Sequence, residues 1–187
     1  MLYQIVSFLL DVAVGLLAGA CLLRLYMQFQ RIPFGNPVGR LVFAVTNWLV
    51  LPLRRVLPAV GRWDTASLVA AYALKLAQFA ILWGLAGAAY QPLAVVPVLA
   101  LFDLLRLALS GITGLVIVYA ILSWVQPGGS PLYDVIDRLC APLLRPIRRL
   151  IPLVGGFDLS PLALLVLVQV AIIVLGNLQG LVLRLLL

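Results

Sequence analysis

Apolar residues run through the chain in four long blocks: Ile5–Met27, Ala66–Tyr90, roughly Val98–Val125 and Leu159–Leu187. A helix needs about 20 apolar residues to cross the ~30 Å hydrocarbon core, so each block predicts a transmembrane helix. The third is the least clean, with Asp103 and Arg106 near its start, yet Leu107–Val125 alone is long enough. The first block lacks a basic leading region and contains Asp11. Ala18-Gly19-Ala20-Cys21 only faintly resembles a lipoprotein cleavage box, so the block reads as a retained span.

The two polar connections, Gln28–Thr65 and Gln126–Asp158, have a different rhythm. After Ser130, the residues Leu132, Val135, Ile136, Leu139 and Leu143 recur at helical spacing, while Asp134, Asp137 and Arg138 take the other face. After Asn36, Val38, Leu41, Val42, Val45 and Leu49 do the same. This pattern predicts two amphipathic helices at the membrane interface. Asn36 and Ser130 are their N-caps, each followed by proline at the first helical position. Each helix is expected to end near Pro52 or Pro146, because proline removes a helix hydrogen bond and clashes with the preceding turn.

An internal repeat organises these pieces. At an offset of 94 residues, Pro37 falls on Pro131, Pro52 on Pro146, Arg54-Arg55 on Arg148-Arg149, Pro58 on Pro152, Gly61 on Gly155 and Asp64 on Asp158. Seven of the thirteen positions from Pro52 to Asp64 are identical, with no gap. So many matches among Pro, Arg, Gly and Asp point to a duplication. Residues 1–92 form the first repeat and 93–187 the second, within one membrane domain. Each half is a span, a basic connection and a span, so both enter the membrane the same way up. The repeats are parallel, related by a pseudo-two-fold axis along the membrane normal. The fold class is all-α: four transmembrane helices and two interfacial ones.

Composition narrows the chemistry. The 187 residues are 65% hydrophobic and 10% charged, with a mean hydropathy of +1.19; a soluble domain is about 45–50% apolar and 25% charged. There is no His and no Glu, which removes His-based triads and His-ligated metals. Cys21 and Cys140 show no metal-ligand spacing. No cofactor, catalytic residue or metal site is expected. The net charge of +7 reads as topology and anionic-lipid contact rather than direct nucleic-acid binding. Nine of thirteen basic residues lie in the two polar connections, which places those in the cytoplasm and both termini outside; Arg184 alone dissents.

Several residues carry candidate roles. Arg54, Arg55, Arg148 and Arg149 either grip lipid phosphates or a partner's acidic patch, or serve as stop signals that fix topology. Pro52, Pro58, Pro146 and Pro152, with Gly61 and Gly155, shape the connections; Asp64, Asp158 and Ser160 cap the spans that follow. Lys75 sits near the middle of the second span, where a charge costs at least about 2.5–3.5 kcal/mol unless partnered. Its repeat mate is Gln169, so the two mark either a polar path or ordinary hydrogen bonding within the bundle. Asp11 and Arg106 occupy nearly matching positions and can pair near the outer surface. Gly15-x-x-x-Gly19 and Gly176-x-x-x-Gly180 suit close helix approach inside a monomer or a homo-oligomer.

The paired Pro-x-Arg-Arg-x-x-Pro…Gly-x-x-Asp units, each preceded by Asn-Pro or Ser-Pro and followed by a span, resemble the YggT (YlmG) family of small bacterial membrane proteins with plastid relatives. Asn36-Pro37, Thr46-Asn47, Pro52-Leu53-Arg54-Arg55, Pro58 and Asp64 carry the likeness in the first unit. Trp124, Pro131, Pro142, Pro146-Ile147-Arg148-Arg149, Pro152 and Gly155 through Pro161 carry it in the second. The two-unit layout looks like the proteobacterial form. Trp48 stands where the family has proline, which implies a straighter first interfacial helix. The resemblance implies a plasma-membrane protein linked to osmotic and ion stress, to cell division or envelope organisation, and in plastids to cytochrome assembly and nucleoid distribution. It implies no reaction.

The sequence therefore reads as a non-enzymatic bacterial inner-membrane protein whose basic cytoplasmic loops bind anionic phospholipid or a membrane or cytoplasmic protein partner. The rivals are a small oligomeric channel with a path at Lys75 and Gln169, and an assembly factor for another membrane complex. Single cysteines at positions 54 and 148 in a Cys-free background are expected to label only from the cytoplasmic side. Labelling from opposite faces overturns the parallel repeat.

Overall fold

The computed structural model describes residues 1–58, 61–86, 92–125, 130–150 and 158–186. Pro152 and Gly155 lie outside the described residues. Six helices follow in order: α1 (Leu2–Phe29), α2 (Pro37–Val56), α3 (Thr65–Ala86), α4 (Val95–Val125), α5 (Pro131–Leu150) and α6 (Ser160–Leu186). No strand occurs among the described residues. Four helices, α1, α3, α4 and α6, are long and apolar enough to cross a membrane, which makes this a multi-pass membrane protein. At ~1.5 Å per residue, even α3, the shortest of the four, is about 33 Å long.

The remaining helices gather at one end of the bundle, where α1 and α4 finish and α3 and α6 begin. α2 packs on α1 and α3, α5 packs on α4 and α6, and α2 touches α5. One apolar cluster joins Met27 and Ile32 to Val42 of α2, Tyr119 of α4, Leu139, Cys140 and Leu144 of α5, and Leu164 of α6. A second joins Ala18 and Cys21 of α1 to Val50 of α2, Ala66, Ala70 and Ala71 of α3, and Leu104 of α4. The three alanines keep α1 and α3 close.

Local chemistry sets the helix ends. Asn36 Oδ1 accepts from the Gly39 amide at 2.8 Å, and Ser130 Oγ accepts from the Leu132 amide at 3.3 Å. Both act as the expected N-caps. The end of α1 is a Schellman turn: the Ile32 amide donates to the Met27 carbonyl and the Arg31 amide to the Gln28 carbonyl, each at 3.0 Å. Arg31 holds the left-handed position at φ 56°, where glycine is usual. A non-glycine residue there costs about 1–2 kcal/mol. Gly61, at φ 61°, turns the chain between α2 and α3, as expected of a turn glycine.

Two expectations need correction. α2 runs through Pro52 to Val56, and α5 runs through Pro142 and Pro146 to Leu150. Pro52 and Pro146 thus sit inside helices rather than shaping the connections. Each proline removes one intrahelical bond, but packing on either side, at Val50 and Leu53 and at Leu144 and Ile147, holds the last turn in place. Pro58 does follow its helix, and its carbonyl accepts from Thr65 Oγ1 at 2.9 Å, which closes the elbow into α3. The glycine pairs also behave differently from a monomer packing motif. A Cβ at Gly15, Gly19 or Gly180 would meet nothing within 4 Å, and one at Gly176 would meet only Arg106 Nη2 at 3.7 Å. Gly15 and Gly19 instead line an apolar groove of about 1010 Å³ between α1, α2 and α4.

Gly39 is where size matters most. The turn before α2 folds over its first residues, and Phe34 stacks on Phe43 with centroids 4.4 Å apart. A Cβ on Gly39 would lie 2.5 Å from the Phe34 carbonyl oxygen and 2.6 Å from its Cα. Gly39→Ala is expected to cost about 1–3 kcal/mol by overpacking. Gly111→Ala, which faces open space in α4, is expected to leave stability unchanged or raised. Thermal melts in detergent check the contrast.

Candidate functional site

The basic end of the bundle is built around two arginine–aspartate pairs, each ten residues apart in sequence. Arg54, in the last turn of α2, reaches Asp64 at the start of α3 with Nη2–Oδ2 at 2.6 Å and Nε–Oδ1 at 3.3 Å. Arg148, in the last turn of α5, reaches Asp158 with Nε–Oδ2 at 2.8 Å. Each pair ties the end of a polar-connection helix to the start of the next span. A cation in a last helical turn also suits the helix dipole.

The first pair has a desolvated carboxylate and is reinforced. Asp64 is fully buried and also accepts from Ser67 Oγ at 2.6 Å and from the Ser67 amide at 3.3 Å, which caps α3. Arg54 Nη2 donates to Gln28 Oε1 at 2.7 Å. A second guanidinium arrives from inside the first span: Arg24, 1% exposed, places Nε 3.5 Å from Asp64 Oδ2. Its Nη1 donates to Thr46 Oγ1 at 2.9 Å and Asn47 Oδ1 at 2.8 Å, and its plane lies 4.6 Å from the Phe43 ring centroid. The second pair is simpler and wetter, with side chains 37% and 31% exposed. Arg148 Nη2 donates to Tyr119 Oη at 2.7 Å, and Asp158 Oδ1 accepts from the Ser160 amide at 2.9 Å.

The role of Arg24 escaped the sequence reading, and so did those of its partners Thr46 and Asn47, of Gln28 beside Arg54 and of Ser67 beside Asp64. The signal was there: Arg24 is the one cation in the first block, and an intramembrane charge demands a partner. Gln28 is one helical turn away on the same face. The repeat mate of Arg24 is Val118, so the duplication gave no hint. Asp64 and Asp158 cap as expected. Ser160 begins α6, but its buried Oγ has no partner among the described residues, so it does not cap through its side chain. Arg55 and Arg149 are exposed, and neither joins the four ion pairs found among the described residues.

A second polar network lies within the spans. Lys75, 4% exposed, pairs with Asp103 Oδ2 at 2.7 Å and donates to Gln78 Oε1 at 3.1 Å; Gln78 Nε2 in turn donates to Asp11 Oδ1. The expected Asp11–Arg106 pair is not formed. Helix α1 packs along α3, which presents Gln78 to Asp11, while Arg106 turns from Asp103 toward Gly176 of α6. Gln169 lies on the exposed side of α6 and does not share the surroundings of Lys75. Among the described residues, no three His, Cys, Asp or Glu side chains are placed to hold a metal ion.

Outside the spans, charge and burial set the proton affinities. Burial raises the Asp64 carboxyl, but the Arg54 and Ser67 hydrogen bonds and the Arg54 charge outweigh it and hold the group below the usual range. Burial likewise raises Asp158, and the Ser160 amide hydrogen bond and Arg148 overcome it. Burial, with Asp137 adding to it and Arg148 opposing, pushes the Cys140 thiol up to about 12, so it stays a thiol. Both carboxylates have lowered folded-state values, so their stabilisation is complete above the ordinary carboxylate range, near 3.8. It is lost as pH falls through the lowered values. Melting temperature is therefore expected to drop as pH falls below about 4. Asp64→Asn leaves two guanidiniums without their carboxylate and is expected to cost about 3–5 kcal/mol. Asp158→Asn, in a wetter pair, is expected to cost under about 1 kcal/mol. Melts of both variants from pH 6 to pH 3 check the order and the flattened acid limb.

The family model described as CCB3/YggT matches this chain twice, over residues 3–85 and 98–179. The uncharacterized protein YggT of Escherichia coli is 40% identical over 164 residues, covering 88% of this chain and 85% of that protein. A Vibrio alginolyticus protein of the proC 3′ region is 35% identical over 175 residues, covering 93% and 95%. An uncharacterized Pseudomonas aeruginosa protein is 35% identical over 168 residues, covering 85% and 82%. No solved structure matches. With a family model spanning both halves and relatives aligned over most of their length, the chain belongs to the CCB3/YggT family.

Proposed function

We propose that this protein is a non-enzymatic component of the bacterial inner membrane. Its basic end faces the cytoplasm and engages anionic phospholipid or an acidic protein partner, in the service of envelope organisation or osmotic and ion-stress adaptation. The observation that carries this reading is the division of labour within each arginine pair. Arg54 and Arg148 are spent on Asp64 and Asp158, so they fix the shape of the connections. Arg55 and Arg149 follow directly in sequence, are exposed, and stay available to an external anion. Exposed guanidiniums at a membrane surface attract acidic headgroups by about 1 kcal/mol each.

The double match to one family model, and recurrence of the Arg–Asp pair at an offset of 94 residues, support two like-oriented repeats. The buried set of α5, Val135, Ile136, Leu139, Cys140 and Leu144, stands against an exposed set of Asp134, Arg138, Arg145 and Arg149, which supports an interfacial helix. Its prolines at 142 and 146 are also exposed, so the carbonyls they leave unbonded within the helix can be met by water or headgroups. The distribution of basic residues supports termini outside.

Trp48 and Trp63 are exposed near this end and report on lipid there. In vesicles, brominated phosphatidylglycerol is expected to quench tryptophan emission more than brominated phosphatidylcholine does. Arg55→Gln/Arg149→Gln is expected to remove most of that preference, and to fail in restoring growth under osmotic upshift to cells lacking the gene. Equal quenching by both lipids in the unaltered protein, or a preference that survives the double substitution, overturns the reading.

A further inference from the structure

The left-handed residue that ends α1 sits at the mouth of a cleft. Gln30 and Arg31 face Asp137, Arg138, Pro142 and Arg145 of α5 across a cavity of about 240 Å³. The cleft is built from both halves of the chain, and the seam beneath it is fixed. Tyr26 Oη, one turn before Arg31, donates to the Leu139 carbonyl of α5 at 2.8 Å. Ile32, 6% exposed, is buried in the same cluster as Leu139 and Cys140. The positions of the three arginine backbones around the cavity are therefore set by core packing rather than by their own charges.

The charges themselves are uncompensated. None of Arg31, Arg138 and Arg145 takes part in an ion pair among the described residues, and neither does Asp137. Asp134, four residues before Arg138, forms no ion pair with it among the described residues either. Three guanidiniums against one carboxylate leave two net positive charges around one small cavity. Elsewhere at this end the buried cation Arg24 and the partly buried Arg54 and Arg148 have found carboxylate partners. Arg31 also holds a backbone conformation that glycine would take without strain. A strained residue whose side chain lines a cavity points to a role for that side chain.

We propose that this cleft is a binding site for a phosphate group, either the phosphodiester of an anionic lipid headgroup or a free phosphate. Planar guanidiniums recognise phosphate oxygens through paired N–H donors, which a single point charge does not. The cavity is smaller than the ~300–1,000 Å³ of sites for drug-sized ligands, and so suits a phosphate with a short substituent. Asp137, at the same rim, can receive an ammonium or hydroxyl donor on that substituent. The site shares no residue with Arg55 and Arg149 and stands apart from the lipid preference assigned to them.

The test uses the full chain, purified in neutral detergent and stripped of lipid, with calorimetric titration. The probes are dihexanoyl phosphatidylglycerol, dihexanoyl phosphatidylcholine and inorganic phosphate. Saturable binding of phosphatidylglycerol, of inorganic phosphate or of both, at about one per chain and well above phosphatidylcholine, is expected. Binding of phosphatidylglycerol alone identifies a headgroup site, and comparable binding of inorganic phosphate identifies a free-phosphate site. Arg31→Gly relieves the left-handed strain, so it is expected to keep the melting temperature while weakening binding about tenfold. Arg138→Gln/Arg145→Gln is expected to weaken it at least tenfold. Arg40→Gln/Arg62→Gln, the same loss of charge at exposed positions off the cleft, is expected to stay within twofold. The proposal is overturned if neither anion binds saturably, if Arg31→Gly binds as the unaltered chain does, or if the Arg40/Arg62 control loses as much affinity as the Arg138/Arg145 variant.

Discussion

A carboxylate buried beside a membrane demands compensating charge, and Asp64 receives it twice. Arg54 comes from the end of α2 and Arg24 from within α1, so one carboxylate fastens three helices. Removing an ion from water costs several kcal/mol, and only good geometry with further hydrogen bonds repays it. Ser67, Gln28, Thr46 and Asn47 supply those bonds. Such a cluster adds little as an energy source over apolar packing. Its use is specificity: greasy helices slide against one another at little cost, whereas a bidentate pair permits one register. The clamp adds to the packing at Val50 and Leu53 that holds the turn of α2 beyond Pro52.

The same logic governs the half of the bundle away from the basic end. In hydrocarbon, Lys75 has no water to turn to, so it takes Asp103 from α4 and Gln78 from its own helix, and Gln78 passes the contact on to Asp11 of α1. Helices α1 and α3 are thus joined at two levels by polar contacts, with alanine-rich packing between. A lysine closed in this way is a structural member of the bundle. With Gln169 on the exposed side of α6, nothing in this geometry favours a polar path between the two.

What the sequence disclosed follows from which physical rule was local. The four spans were legible because hydrocarbon thickness fixes a length that a run of apolar residues either reaches or does not. The caps at Asn36, Ser130, Asp64 and Asp158 were legible because the group they satisfy lies within three residues. The Arg54–Asp64 and Arg148–Asp158 pairs were half legible: both partners stood out in the repeat, but nothing in one dimension said that they touch. Proline as a terminator misled at Pro52 and Pro146, where tertiary packing outweighed one lost hydrogen bond. Arg24 and Gln78 were hidden because their contacts to Asp64 and Asp11 cross between elements and neither is repeated in the other half. Their signal was thermodynamic rather than positional, since a polar group in a span implies an unseen partner.

The two halves have kept one clamp and dressed it differently. In the first, Arg24, Phe43 and Ser67 surround the pair, and the aspartate is sealed. In the second, the corresponding positions are Val118, Asp137 and Pro161, and a tyrosine hydroxyl is the extra partner of a clamp that stays about a third exposed. The two arginines are about equally exposed, at 33% and 37%, so it is the buried carboxylate of the first clamp that reduces screening by salt relative to the second. The half with the weaker clamp is also the half whose second helix carries the exposed cations Arg138, Arg145 and Arg149. Helix α2 carries exposed Arg40 and Arg55 as well, so the two halves differ in how deeply the aspartate of the clamp is buried rather than in whether cations face outward.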